Sequence, residues 1–191
     1  MAMSTRGTPV LLALAALAAA PAAARAAEAR PVLVGGYDTG GDYIENVTFK
    51  DGTPDSIKAN EGLYLGGGVS ILNDSRNVEF QGTLSYKYQA IHASNGDITW
   101  TRFPLDALLF YRWQSFRVGG GATYAMRPRL KGSGVAGDVD AAPDNALGAV
   151  VQADYLVGKV ALGVRYTILE YKSAGGTARS DGLGLTFGLA F

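Results

Sequence analysis

The chain has no cysteine and one histidine, His92, among its 191 residues. Without thiols there is no disulfide, thiolate zinc site or cysteine nucleophile, and a lone imidazole excludes the two-histidine metal motifs. Any catalysis would have to rest on His92, carboxylates, lysine, serine or tyrosine. Net charge is also missing. With 17 basic against 17 acidic side chains there is no basic field to hold a phosphate backbone, so nucleic acid is not an expected partner. Beyond residue 26 no apolar run reaches the roughly 18 residues of a membrane helix. Glycine, by contrast, is abundant, with 26 residues and no three-residue period, which disfavours a helical bundle and favours close-packed strands.

The first 26 residues read as a secretory signal peptide. Arg6 precedes an apolar run from Val10 to Ala20, followed by Pro21 and a string of small residues. That run is about 11 residues long where a membrane span needs about 20, so a retained anchor is disfavoured. Ala24-Arg25-Ala26 fits cleavage before Ala27, and Ala27-Glu28-Ala29 fits cleavage before Arg30. Removing 1–26 takes away Arg6 and Arg25, so 15 basic and 17 acidic residues remain in 27–191.

From residue 27 onward side chains sort by parity, as they do in strands whose two faces meet different surroundings. In 78–92 the even positions include Val78, Phe80, Leu84, Tyr86 and Tyr88, while Glu79, Gln81, Thr83, Ser85, Lys87 and Gln89 are odd. The same alternation runs through 116–130, 147–157, 160–168 and 183–191. It is noisier in 63–71 and 103–113 and weak in 32–38. Tight turns at 73–77, 113–115 and 158–159 alternate with longer polar links at 39–61, 93–98, 132–145 and 174–181. Eight strands with that alternation, and both termini on the short-turn side, describe an all-β fold: an up-and-down antiparallel transmembrane barrel. Several strands exceed the 9–11 residues that cross the hydrocarbon, so some should project beyond the outer leaflet. Within the first long link, 47–50 and 56–58 flank Asp51-Gly52-Thr53-Pro54 and read as a hairpin above the membrane.

A soluble sandwich or lipocalin-like barrel would show the same periodicity with the faces reversed. Side-chain volume decides against it. The polar-parity face is rich in Gly66, Gly68, Gly119, Gly121, Gly163 and Gly184, which suit a crowded narrow interior. The apolar face carries Tyr86, Tyr88, Tyr111, Trp113, Phe116, Tyr124, Tyr155, Tyr166, Phe187 and Phe191, rings that prefer the headgroup level.

The terminal segment Gly184-Leu185-Thr186-Phe187-Gly188-Leu189-Ala190-Phe191 resembles the assembly signal of Gram-negative outer-membrane barrels, with Phe187 and Phe191 as its aromatic positions. The region 27–191 resembles the small eight-stranded superfamily that includes the OmpA transmembrane domain and the OmpW-type proteins. Ala93-Ser94-Asn95-Gly96, Arg102-Phe103-Pro104-Leu105-Asp106 and Asp144-Asn145-Ala146-Leu147-Gly148-Ala149 are similar to segments of other outer membrane protein beta-barrel domains. The resemblance implies an outer-membrane location, outer-membrane lipids, lipopolysaccharide and the barrel assembly machinery as partners, and a monomer. It implies no cofactor or metal and no activity.

Eight strands enclose only enough room for side chains, so an open pore is not expected. The inward parity collects Glu79, Lys87, Arg102, Asp106, Arg112, Arg117, Asp154 and Arg165. Buried charges need partners, because an unpaired one costs several kcal/mol. These eight are therefore expected to form an ion-paired network plugging the lumen. Two other readings stay open. Ile91-His92-Ala93-Ser94-Asn95 resembles the active-site motif of the lipid A 3-O-deacylases, in which His92 would activate Ser94 and Asp106 would orient the imidazole. Pro104 could force a bulge that changes which way Asp106 points. An OmpW-like passage for small apolar molecules through a side opening is the other. Asp38, Asp42 and Glu45, or Asp138, Asp140 and Asp144, would be the acids for a divalent cation in the loops. Arg127, Arg129 and Lys131 would meet lipid phosphates near the outer surface.

Overall fold

The computed structural model describes residues 28–48, 54–93, 96–133, 140–173 and 176–191. The expected signal peptide, 1–26, lies outside them. In chain order the strands are β1 (Glu28–Gly40), β2 (Tyr43–Thr48), β3 (Pro54–Lys58), β4 (Gly62–Leu72), β5 (Val78–Ala93), β6 (Gly96–Trp113), β7 (Phe116–Gly132), β8 (Asp140–Ala141), β9 (Ala146–Val157), β10 (Val160–Ile168), β11 (Glu170–Ser173), β12 (Gly176–Arg179) and β13 (Gly182–Ala190). Eight of them close on themselves in the order β1, β4, β5, β6, β7, β9, β10, β13, each antiparallel to both neighbours. A closed antiparallel barrel satisfies every backbone group internally, which lipid demands.

The periodicity of the sequence maps onto the two faces of this wall. Leu33, Leu84, Leu105, Val118, Val151, Val164 and Leu185 lie on the exposed outer face. Glu79, Gln81, Thr83, Lys87, Asp106, Gln152, Asp154 and Thr186 are buried inside. Glycine makes that interior possible where a carboxylate must fit beside the wall. A Cβ on Gly163 would overlap Asp154 Oδ1, and one on Gly184 would overlap Asp38 Oδ1. All ten aromatic residues read as interface rings are outward. Phe116 and Tyr155 pack with ring centroids 5.1 Å apart at the short-turn end, and Tyr86 meets Phe103 at 5.3 Å toward the other.

Each short turn contains one residue with positive φ: Arg76 at 55°, Gln114 at 51° and Gly158 at 60°. In the first, Asn73 Oδ1 accepts from the backbone amides of Asn77 and Val78, both at 3.0 Å, so the side chain substitutes for turn backbone. The expected hairpin of the first link is present: β2 pairs with β3. Its turn, 49–53, lies outside the described residues.

The upper half departs from the sequence expectation in two places. The link expected at 93–98 is largely ladder, because β5 and β6 pair up to Ala93 and Gly96. There the inward side chains are Ile91, Ile98 and Trp100, so apolar residues take the face that is polar lower down and the alternation loses its meaning. The second departure is a bulge on β7. Opposite β6, Thr101 pairs with Arg129 but Phe103 pairs with Met126, leaving one extra β7 residue. Arg127 is at φ 49° in that bulge. Below it odd residues of β7 face inward, as Arg117, Thr123 and Ala125 do; above it Pro128 and Leu130 are buried and Arg127, Arg129 and Lys131 are exposed. Pro104, the expected bulge position, keeps the even inward parity of β6 and lines the lumen.

Candidate functional site: the lumen and the outer mouth

The lumen is layered. Nearest the short turns, Arg117 donates to Glu79 Oε1 at 2.6 Å, Gln81 Oε1 at 3.0 Å and Asp154 Oδ2 at 2.7 Å. Arg112 donates to Glu79 Oε2 at 2.9 Å, and the Ser70 hydroxyl donates to Glu79 Oε1 at 2.7 Å. Gln152 and Thr186 supply further donors to Asp154. Two guanidiniums thus face two carboxylates whose remaining lone pairs are also used, the condition under which a buried ion pair holds. The Arg117 guanidinium also stacks on Phe110, 4.2 Å from the ring centroid. Phe110 belongs to the next layer, an apolar cluster with Leu108 and Val150.

Above that cluster is a second polar layer. Arg165 donates through Nη1 and Nη2 to Asp106 Oδ2, both at 3.2 Å. Lys87 Nζ donates to Asp38 Oδ2 and, at 3.0 Å, to Asn60 Oδ1. Arg102 Nη2 donates to the Glu61 carbonyl at 2.7 Å. Asn60 and Glu61 follow β3, so the end of the first link dips into the barrel mouth and supplies lumen partners.

A dry cap closes the mouth. Trp100, Ile98, Ile91, Leu130, Ile57, Leu169 and Tyr171 form one buried cluster. Trp100, with 0% exposure, meets the edge of Tyr171 at 5.4 Å and donates its indole N–H to the Ala59 carbonyl at 3.2 Å. On the outer side, a cavity of about 380 Å³ opens between Tyr43, Ile44, Pro143, Lys172 and Thr177, with Trp100, Leu130 and Tyr171 among its lining residues. Lower on the barrel, a groove of about 560 Å³ among Trp113, Phe116, Tyr155 and Leu162 belongs to the lipid-facing wall.

The eight inward residues read from the sequence fall into these layers: Glu79, Arg112, Arg117 and Asp154 below, Lys87, Arg102, Asp106 and Arg165 above. In the upper layer two side-chain partners, Asp38 and Asn60, are not among the eight. Asp38 shares the inward parity of β1, but Val32 and Val34 point the same way while Leu33 and Tyr37 point out, so the strand is apolar on both faces. Asn60 comes from a link, where parity carries no signal. Asp38 and Asp42 of the first acid set are not gathered as a cation site would require, and the Glu45 side chain lies outside the described residues. Asp38 is inside with Lys87, whereas Asp42 Oδ2 accepts from the Arg179 amide at 2.8 Å. In the second set Asp140 pairs with Arg129 at 2.7 Å and Asp138 lies outside the described residues. Hydrogen bonding and proximity to Arg129 hold the Asp140 carboxyl below its ordinary range. No acid or histidine cluster able to hold a metal occurs among the described residues.

The esterase triad loses its acid. Asp106 pairs across the ladder with Thr83, while the His92 backbone pairs with Asp97. Nine strand residues separate Thr83 from His92, about 30 Å at strand rise. Asp106 is bound by Arg165 inside the lumen and cannot orient that imidazole. The His92 side chain and the whole of Ser94 lie outside the described residues.

The outer membrane protein beta-barrel domain family matches residues 10–191. The chain belongs to that family. This outer-membrane barrel has no match among curated proteins. It is similar in fold to Ail, the attachment invasion locus protein of Yersinia pestis, solved in complex with the heparin analogue sucrose octasulfate. Identity there is 8%, coverage is 87% of this chain and 99% of that one, and the TM-score is 0.56. It is also similar to neisserial surface protein A, at 13% identity, 87% and 100% coverage and a TM-score of 0.50. The protein is an integral barrel of the bacterial outer membrane. The aromatic rings read as interfacial, Phe187 and Phe191 among them, face outward.

Proposed function

We propose that this barrel is a plugged, non-enzymatic envelope protein that works through its outer surface. The observation that carries the reading is the filling of the lumen. With two ion-paired layers, an apolar layer between them and an apolar cap, the lumen voids among the described residues are small, about 20, 40 and 10 Å³. Such voids hold a few waters and no continuous column. The mouth cavity ends on buried Trp100 and Leu130, which supports a blind pocket rather than a route inward. Purified protein in a planar bilayer is expected to add no conductance steps above the bare membrane. Reproducible steps from the unaltered protein would overturn the plug.

The outer surface reading rests on the β7 bulge. Arg129 and Lys131 pair across the ladder with Thr101 and Thr99, outward positions of β6, just above the ring of Phe103. With Arg127 they present three exposed cations, of which Arg129 is ion-paired with Asp140, near the level expected for lipid phosphates. A guanidinium suits a phosphate bidentately and an ammonium as a point charge. The partner proposed is therefore the phosphorylated lipid of the outer leaflet. In phosphatidylcholine vesicles, added diphosphoryl lipid A is expected to stabilise the barrel more than monophosphoryl lipid A. The double variant Arg127→Gln/Lys131→Gln should lose about 1 kcal/mol of that increment per cation removed. An equal increment in the variant, read by urea unfolding, would remove the phosphate from the account.

A further inference from the structure

The upper polar layer surrounds a void of about 20 Å³ lined by Asp38, Asn60, Lys87, Arg102, Asp106 and Arg165. All six are more than nine-tenths buried, from 1% exposure at Arg102 to 7% at Arg165. Three of their donors have no acceptor: Asn60 Nδ2, Arg102 Nη1 and Arg165 Nε. The layer is also out of balance in charge. Within the layer Lys87, Arg102 and Arg165 face Asp38 and Asp106; Glu61, whose carbonyl accepts from Arg102 and whose charge also acts on it, gives its carboxylate to the Tyr37 hydroxyl at 2.6 Å on the exposed side. The lower layer, with Arg112 and Arg117 against Glu79 and Asp154, shows no such excess.

A surplus cation in a low-dielectric lumen is costly, and so is each guanidinium N–H without an acceptor. One small anion answers both. Asp38 Oδ1 and Asp106 Oδ1 also lack donors, and a water molecule would serve them. The excess positive charge is what selects an anion over water. The void admits a particle of about water size and excludes phosphate, sulfate or a carboxylate. We propose that the upper lumen binds one monovalent, chloride-sized anion between the guanidiniums of Arg102 and Arg165, with the Asn60 amide as a third donor.

The site goes beyond the plugged-barrel reading and fails separately from it, since a lumen containing only water would still be closed to conductance. The direct test is the full barrel refolded and crystallised with bromide in place of chloride. One anomalous peak within hydrogen-bonding reach of Arg102 Nη1 and Arg165 Nε is expected, and it should vanish in Arg102→Gln. A lumen without such a peak, or peaks on the outer surface alone (an adventitious ion only), would overturn the proposal. Because Arg102→Gln removes a buried partner and risks misfolding, a second measurement uses only the unaltered protein. Refolded in chloride or in gluconate at equal ionic strength, it should show a melting midpoint that rises with chloride and saturates, as for any ligand bound only by the folded state. Superimposable melting curves would count equally against the site.

Discussion

Replacing Arg117 with leucine is expected to destabilise the barrel by about 3–5 kcal/mol, the usual cost of removing one partner from a buried ion pair. The reason is what remains. Glu79 keeps only Arg112 and the Ser70 hydroxyl, and Asp154 keeps only the neutral donors Gln152 and Thr186. Both carboxylates are buried, so water cannot take over the lost contacts. The triple change Arg117→Leu/Glu79→Gln/Asp154→Asn should recover most of the loss, because the charges that made the deletion costly are gone. Urea unfolding in lipid vesicles measures both. If the triple variant proves less stable than Arg117→Leu alone, the carboxylates are held by something other than Arg117 and the layer has been misread.

Placing a charge on the outer wall should be nearly as damaging, and by an amount that depends on height. Val164, 52% exposed and central in β10, lies between Ala153 and Leu185 on the lipid face. Val164→Arg is expected to cost about 2–4 kcal/mol in a bilayer, whereas Val157→Arg, at the short-turn end of β9, should cost about 0–1 kcal/mol. The neighbouring Arg165 is tolerated because its side chain points the other way, onto Asp106. Equal costs at Val164 and Val157 would contradict the position assigned to the membrane.

Much of this architecture is legible in the sequence. Alternation in β5, β9, β10 and β13 was clear because one face meets lipid and the other a polar lumen, so parity alone placed Glu79, Lys87, Asp154 and Arg165. It blurred in β6, where Trp100, Leu108 and Phe110 share the inward parity with Arg102, Asp106 and Arg112. The cap was not legible. Ile57 and Tyr171 reach it from the β2–β3 and β11–β12 hairpins, and no period links them to Trp100. Nor was the bulge. Arg127, Arg129 and Lys131 have the parity of Arg117, and a single inserted residue turns them from lumen to exterior. The sequence marks Pro104 as the irregular position, yet the extra residue is on the opposite strand, where a non-glycine residue accepts positive φ.

The same stretch of β7 has a second role, set by where its ladder with β9 stops. Pairing ends at Ala125 and Ala146, and above that level β7 has on this side, among the described residues, a ladder with only the two residues of β8. The Arg127 amide there donates to Asn145 Oδ1 at 2.8 Å instead of to a ladder partner, and a strand end with so little ladder is the kind of place where a strand from another molecule could add itself. Three cations crowded along it repel an identical copy. Charge along such an edge works against sideways stacking of identical barrels, a consequence separate from any lipid those cations meet.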